Sequence, residues 1–401
     1  MITRIYNISK IYTWNPLYNS LDIYENKDIL IKDGRIVEIS KNIDLGIEKN
    51  LDAKNAIVTP GFIDSHTHPI FGGNRSNEYI ERLEGSTYDE IKKNGGGIIS
   101  SILKTRECNF DQLYENSYLN IKDFIKYGTT TIEAKSGYGL SVDDEIKSLK
   151  IIKKINSKLD IDIIPTFLGA HDIPPEYIKN KQIYIDLICN KMIPQIAKEK
   201  LAVFCDVFCE PGYFNLKETE VIVNKAKEYN LKPRLHVDEF VDSSGAELAV
   251  KLGAYSADHL MSVSDSGIKA LAKSKTIATL LPGTTFFLNK NQYANGRKMI
   301  DQGCNVSIAT DFNPGTCTIK SMSNIMHLAM QKCGLTLEEA FLGSTYNAAK
   351  SVGKENSIGL VKENYFADLI LWNLTDLSEI PYWFDSCLSK IKYVIKKGNL
   401  I

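Results

Sequence analysis

Long apolar runs are missing from this 401-residue chain, and so is any excess of charge. No uninterrupted hydrophobic stretch approaches the roughly 20 residues that a membrane-spanning helix needs. The start, Met1-Ile2-Thr3-Arg4-Ile5-Tyr6-Asn7, has no apolar segment of the kind that directs secretion. With 48 basic against 49 acidic residues the formal net charge is −1. That balance offers no global electrostatic case for nucleic acid or an anionic membrane, so a small molecule is the expected partner. Eight cysteines are scattered without a Cys-x-x-Cys pair, and the two nearest, Cys205 and Cys209, lie in an apolar run that reads as a buried strand. Reduced, buried thiols in a cytoplasmic protein are therefore expected, not disulfides or a cysteine metal site. Internal repeats and low-complexity tracts are also missing.

What is present is a core and a pattern. A 43% hydrophobic fraction beside 24% charge is that of a globular protein with a sizeable interior, and the length suits one large α/β barrel or two ordinary domains. Eight apolar strand-like runs, at 57–66, 129–135, 162–170, 203–209, 233–239, 256–260, 276–282 and 305–312, alternate with helix-period segments such as 142–156, 217–229, 244–252 and 334–350. Eightfold strand–helix alternation predicts an α/β fold, a (β/α)8 TIM-like barrel. Residues 28–39 form two short runs around Asp33-Gly34, a hairpin signal. The runs at 367–372 and 391–398 answer it, predicting a small β-sandwich domain built from both chain termini. The expected division is 1–57 with 355–401 for that domain, and 58–354 for the barrel. The first barrel unit is long and carries Gly95-Gly96-Gly97 ahead of a helical run, where backbone amides could face an anion or simply make a tight turn.

Histidine is scarce, and its placement is informative. Five of six histidines, His66, His68, His171, His236 and His259, sit at ends of apolar runs; His327 lies in a helical stretch and reads as structural. In Val58-Thr59-Pro60-Gly61-Phe62-Ile63-Asp64-Ser65-His66-Thr67-His68, strand alternation turns both histidines to one side, where they can chelate one ion. Mapped on a barrel, strand five adds His236 and strand eight adds Asp311, and barrel enzymes place catalytic groups at these strand ends. Three imidazoles and a carboxylate suit a catalytic zinc or iron, which would activate water and polarise a carbonyl or amidine carbon. His259 is either a further ligand or a partner of that water. Asp311 can both touch the metal and take the proton, and Glu239 is a second candidate base.

Several segments carry a resemblance: Gly61-Phe62-Ile63-Asp64-Ser65-His66-Thr67-His68, Gly73-Asn74-Arg75-Ser76-Asn77-Glu78-Tyr79, Lys135-Ser136-Gly137-Tyr138-Gly139-Leu140, Gly169-Ala170-His171-Asp172-Ile173-Pro174-Pro175-Glu176-Tyr177, and Ala309-Thr310-Asp311-Phe312-Asn313-Pro314-Gly315-Thr316. The first and last resemble the amidohydrolase superfamily at large. Arg75, Tyr138 and His171 in their settings resemble the imidazolonepropionase family within it, and the likeness runs from the N-terminal hairpin to the C-terminal strands. The resemblance implies ring-opening hydrolysis of 4-imidazolone-5-propanoate to N-formimino-L-glutamate in histidine breakdown, with one metal ion per chain and a homodimer. Metal ligands would be His66, His68, His236 and Asp311; relatives with two ions bridge them by a carboxylated lysine or a glutamate at a strand end, which makes Glu210 and Lys135 the bridging candidates. Substrate would meet Arg75, Tyr138, His171, Glu239, Asn313, Gly315 and Thr316. The residue types agree, since Arg75 offers a bidentate fork for a propionate carboxylate. The rival readings are a deaminase or other cyclic-amide hydrolase on the same scaffold, and a catalytically inactive relative that binds a partner; the intact ligand set speaks against the latter.

Overall fold

A computed structural model describes residues 2–43, 46–87, 90–91 and 94–401. Its centre is a parallel sheet of eight strands in chain order: β1 Phe62–Thr67, β2 Thr129–Lys135, β3 Asp162–Ala170, β4 Phe204–Cys209, β5 Lys232–Val237, β6 Ser256–His259, β7 Ile277–Leu280 and β8 Val306–Ile308. A parallel bridge between Thr67 and Phe312 closes the barrel. Two backbone bonds complete the seam, His68 N to Phe312 O at 2.8 Å and Asp311 N to His66 O at 3.0 Å. The seam is therefore sewn by the residues that carry the ligand candidates.

Strands β1, β2 and β4 are buried along their whole length, which is why they read as near-continuous apolar runs. The helices between them begin on side-chain caps. Ser141 accepts from Asp144 N at the head of Val142–Asn156, and Asn215 with Glu218 makes a capping box for Leu216–Glu228.

Both termini build the second unit. One sheet runs Arg35–Ser40, Asp28–Lys32, Ile2–Tyr6, Lys49–Asp52. The other runs Asn399–Leu400, Ile391–Lys396, Leu369–Trp372, Ile57–Pro60, Lys10–Asn15, Ser20–Glu25. Ile5, Ile11, Ile29, Ile31, Val58, Leu369, Leu371 and Ile395 share one buried cluster, the interior of a small sandwich. The Asp33-Gly34 hairpin forms as expected.

Several expected ranges shift at their ends, the last barrel strand shortening from 305–312 to Val306–Ile308, and two divide. The run 57–66 is two strands: Ile57–Pro60 pairs with Leu369–Trp372 in the terminal sheet, and Phe62–Thr67 enters the barrel. Gly61 is the crossing point, because a Cβ there would stand 2.4 Å from the Thr130 side chain. The helical run 334–350 is two helices, Leu337–Ser344 and Tyr346–Ser351. They break at Thr345, whose backbone leaves the helical region (φ −128°, ψ −93°) while its hydroxyl donates to Phe341 O at 2.7 Å. Among the described residues no helix is long and apolar enough to cross a membrane.

Candidate active site

The expected ligands converge at the C-terminal mouth of the barrel. His66 Nε2 stands 3.2 Å from His68 Nε2 and 3.5 Å from Asp311 Oδ1. His68 Nε2 is 3.3 Å from Asp311 Oδ1 and 3.4 Å from His236 Nε2. Four donors held tetrahedrally about 2.0–2.1 Å from one zinc-sized ion would stand roughly 3.3–3.4 Å apart. The four separations measured lie close to that range, so these residues fit a shared metal ion.

The imidazoles are prepared for that role. His66 Nδ1 meets Asp258 Oδ2 at 2.7 Å and His236 Nδ1 meets Asp206 Oδ1 at 3.0 Å, an arrangement in which a proton on Nδ1 would satisfy each carboxylate and leave the Nε2 lone pair for the common centre. Burial pushes the pKa of His66 and His68 well below the ordinary value, helped by the nearby Lys135 ammonium. Burial likewise lowers His236 to about 3, although Asp206 opposes it. Neutral imidazole is the ligating form.

His259 lies beside this set, and its ring nitrogen lies within 4.8 Å of those of His66 and His236. Two neighbours on one strand, Asp258 and His259, both reach the site because His259 takes a left-handed backbone (φ 81°) that breaks the alternation. Asp311 also has positive φ (54°), and its Oδ2 accepts from the Thr284 hydroxyl at 2.5 Å. Glu239 faces the same space, its carboxylate 3.7 Å from His259 Nδ1. Burial raises the Glu239 pKa; His259 works against that shift and Asp311 adds to it.

A cavity of about 620 Å³ opens over the cluster, lined by His68, His236, Glu239, His259 and Asp311 on the floor and by Arg75, Tyr138 and His171 on the wall. Arg75 is 4% exposed. Its Nε donates to Glu78 Oε2 at 2.8 Å, and Nη2 is buried with no protein partner. His171 donates from Nδ1 to Gly137 O at 2.9 Å and stacks on His68 with ring centres 5.1 Å apart. Burial lowers its pKa to about 3. Thr316 and Asn313 also line the cavity, but the Asn313 side chain is occupied within its loop. It donates to Asp311 O at 2.7 Å and accepts from the amides of Gly315 and Thr316 at 2.9 and 2.7 Å. Gly315 packs against the guanidinium of Arg75.

The bridging candidates have other partners. Glu210 accepts from the amides of Glu239, Phe240 and Val241 at 2.9–3.1 Å. Lys135 Nζ lies 2.8 Å from both Glu133 and Asp206. The triple-glycine amide does meet an anion, the protein's own Glu78, which accepts from Gly97 N at 3.0 Å. His327 Nδ1 meets Pro381 O at 3.1 Å on its helix, away from the cavity.

Comparison with known proteins adds ancestry to this geometry. The Amidohydrolase family model matches residues 210–401. The imidazolonepropionase of Thermoanaerobacter pseudethanolicus is 42% identical over 406 residues, covering 98% of this chain and 97% of that protein. That of Clostridium tetani is 42% identical over 389 residues, covering 96% and 92%. The chain belongs to the imidazolonepropionase family. Solved structures extend the likeness in fold alone. A triazine hydrolase variant superposes with a TM-score of 0.79 at 15% identity, covering 100% of this chain and 94% of that one. A guanine deaminase from C. acetobutylicum gives 0.74 at 19% identity over the whole of both chains.

For an imidazolonepropionase-family chain, the groups that sequence reasoning passed over are Glu78, Glu133, Asp206, Arg234 and Asp258. Each left a faint signal. Glu133, Asp206, Arg234 and Asp258 are charges set inside apolar strand runs, and Glu78 follows Arg75 by one helical turn.

Proposed function

We propose that the chain hydrolyses the ring amide of 4-imidazolone-5-propanoate to N-formimino-L-glutamate, with one zinc or iron ion held by His66, His68, His236 and Asp311. The observation that carries this reading is Arg75. Arg75 lines the wall of the cavity whose floor is the ligand cluster, and its guanidinium keeps one nitrogen, Nη2, buried with no protein partner; a carboxylate a few bonds from a scissile ring would give that guanidinium a charged partner. A divalent ion held by His66, His68, His236 and Asp311 would supply Lewis acidity toward the ring carbonyl and make water easier to deprotonate.

The chain's own groups do the rest. Asp311, fixed by Thr284, and Glu239, neutral more readily than an ordinary carboxyl, are placed to take a proton from water and return it to the departing ring nitrogen. His259, 3.7 Å from the Glu239 carboxylate and within 4.8 Å of the His66 and His236 ring nitrogens, orients the water. Tyr138 and His171 close the wall around the propionate and ring. Thr316 lines the same wall, while Asn313 and Gly315 shape the loop that holds it. Product formation creates a second carboxylate, and the cationic Lys290 and Arg82 are on the cavity lining.

A deaminase on the same scaffold uses the same metal set but leaves Arg75 without a role. Eight free cysteines, seven of them buried, accord with a reducing, cytoplasmic setting, and the family likeness with a homodimer. The deciding experiment is turnover of imidazolone propionate by metal-loaded protein beside hydantoin, dihydroorotate, guanine and cytosine. Preference for one of the last four would overturn the proposal.

A further inference from the structure

Under the ligand cluster lies an uninterrupted chain of buried charge. Asp258, which holds His66 Nδ1, lies 3.3 Å from Arg234 Nη2. Arg234 Nε is 3.9 Å from Glu133 Oε1, and the same oxygen is 2.8 Å from Lys135 Nζ. Lys135 in turn is 2.8 Å from Asp206 Oδ2, and Asp206 holds His236 Nδ1 at 3.0 Å. The side chains of all five charged residues are 0% exposed. The path begins on one ligand histidine and ends on another, passing through β6, β5, β2 and β4.

We infer that Glu133, with Arg234 and Lys135, is a positioning residue for the metal ligands, locking the protons of His66 and His236 on Nδ1 and matching the site's charge to one divalent ion. The inference rests on the metal reading of the cluster. Three geometric facts support it. First, buried charges are costly to keep unless each is paired, and five in one chain are retained although a barrel interior is ordinarily apolar. Second, three carboxylates against two cations leave one negative charge, and Asp311 adds a second, so a single divalent ion balances the set. Third, Glu133 Oε2 also accepts from Thr67 N at 3.3 Å, the amide between His66 and His68. One carboxylate therefore accepts from the backbone of the His-x-His strand and from Lys135, and lies in ion-pair range of Arg234 at 3.9 Å, with no bond to a ligand imidazole among the described residues.

Glu133→Gln is the discriminating change, because it keeps the shape of the side chain while removing the anion between two cations. The site then loses one negative charge, and Arg234 and Lys135 repel each other while drawing harder on Asp258 and Asp206. Outer-shell changes of this kind typically weaken metal binding about 10–100-fold. Zinc affinity would be measured by competition with a chromophoric chelator for the wild type, Glu133→Gln and Asp258→Asn. Nitrogen NMR of histidine-labelled apoprotein would report which ring nitrogen of His66 and His236 carries the proton, with His66→Asn and His236→Asn supplying assignments.

The expected result is Nδ1–H at both residues in the wild type, with an Nε2–H population and about 10–100-fold weaker zinc binding in Glu133→Gln and Asp258→Asn. Zinc affinity within twofold of wild type in Glu133→Gln, or unchanged ring protonation, would overturn the inference. So would collapse of the Glu133→Gln apoprotein while Asp258→Asn stays folded with unchanged affinity, which would make Glu133 a member of the barrel core and nothing more. If the wild type itself bound no zinc or iron, the metal reading would fail instead.

Discussion

Replacing Gly315 with alanine should disable Arg75 without touching it. An added Cβ would stand 2.0 Å from Arg75 Nη1 and 2.4 Å from Cζ, far inside contact distance, so the guanidinium has to move. It cannot slide toward Glu78, because Nε already lies 2.8 Å from that carboxylate, which is itself anchored on Gly97 N at 3.0 Å. The displaced guanidinium would lose its charge-assisted contact with the propionate, worth about 1.5–3 kcal/mol. At 1.36 kcal/mol per decade this is roughly a 10–150-fold drop in kcat/KM. Arg75→Ala should lose a similar one to two orders of magnitude. The assay is steady-state turnover of imidazolone propionate and of the same ring without its propionate. Both variants should lose most on the first substrate and little on the second. Full activity in Gly315→Ala, or an equal loss on both substrates in Arg75→Ala, would refute the carboxylate role and weaken the case against a deaminase.

Alanine at His66, His68, His236 or Asp311 should each cost bound metal or rate, chelation should abolish activity, and metal analysis should find about one ion per chain; two ions bridged by Glu210 or Lys135 would contradict this. Glu239→Gln should slow kcat by about 10²–10⁴-fold if Glu239 handles a proton, whereas full kcat with metal bound would make it a bystander. Because burial raises the Glu239 pKa, its basic form is lost as pH falls through a value above the ordinary carboxylate range. The acid limb of the wild-type kcat/KM profile should therefore lie high, and the limb should be missing in Glu239→Gln. His259→Asn should slow turnover with metal retained, and an unchanged rate would reduce His259 to a packing role.

The barrel was readable in the sequence because its strands are buried on both faces and so interrupt the helical periodicity with short apolar blocks. The strands 129–135 and 162–170 and the helix 142–156 coincide with the observed elements. The reading slipped where no local period marks a change. Nothing in the run 57–66 announces that the chain leaves one sheet for another at Gly61; only the approach of Thr130, some seventy residues on, requires it. Likewise the helix break at Thr345 is a backbone event inside an apolar, helix-compatible stretch.

A similar division runs through the site. The candidate cluster was legible because imidazole and carboxylate at successive strand ends are chemically unusual, and the barrel topology brings such ends together whatever their separation in sequence. Their supporting contacts were not legible, because each is a long-range pairing between side chains of different strands. Asp258 supports His66 from 192 positions away, and Asp206 supports His236 from 30. Strand alternation places Asp206, Arg234 and Asp258 in the barrel interior but does not say which partner each will meet. Asn313 shows the converse. Its amide suits a ligand contact by type, yet its donor and acceptor are both engaged within the 311–316 turn. That turn presents the face of Gly315, bare of a Cβ, to Arg75, so under the proposed reading Asn313 would act on the propionate through the loop it folds. Asn313→Ala should then resemble Gly315→Ala, raising KM for imidazolone propionate more than for the ring without its carboxylate. A variant that keeps wild-type KM on both would separate the turn from the pocket and leave Gly315 packing as a local matter.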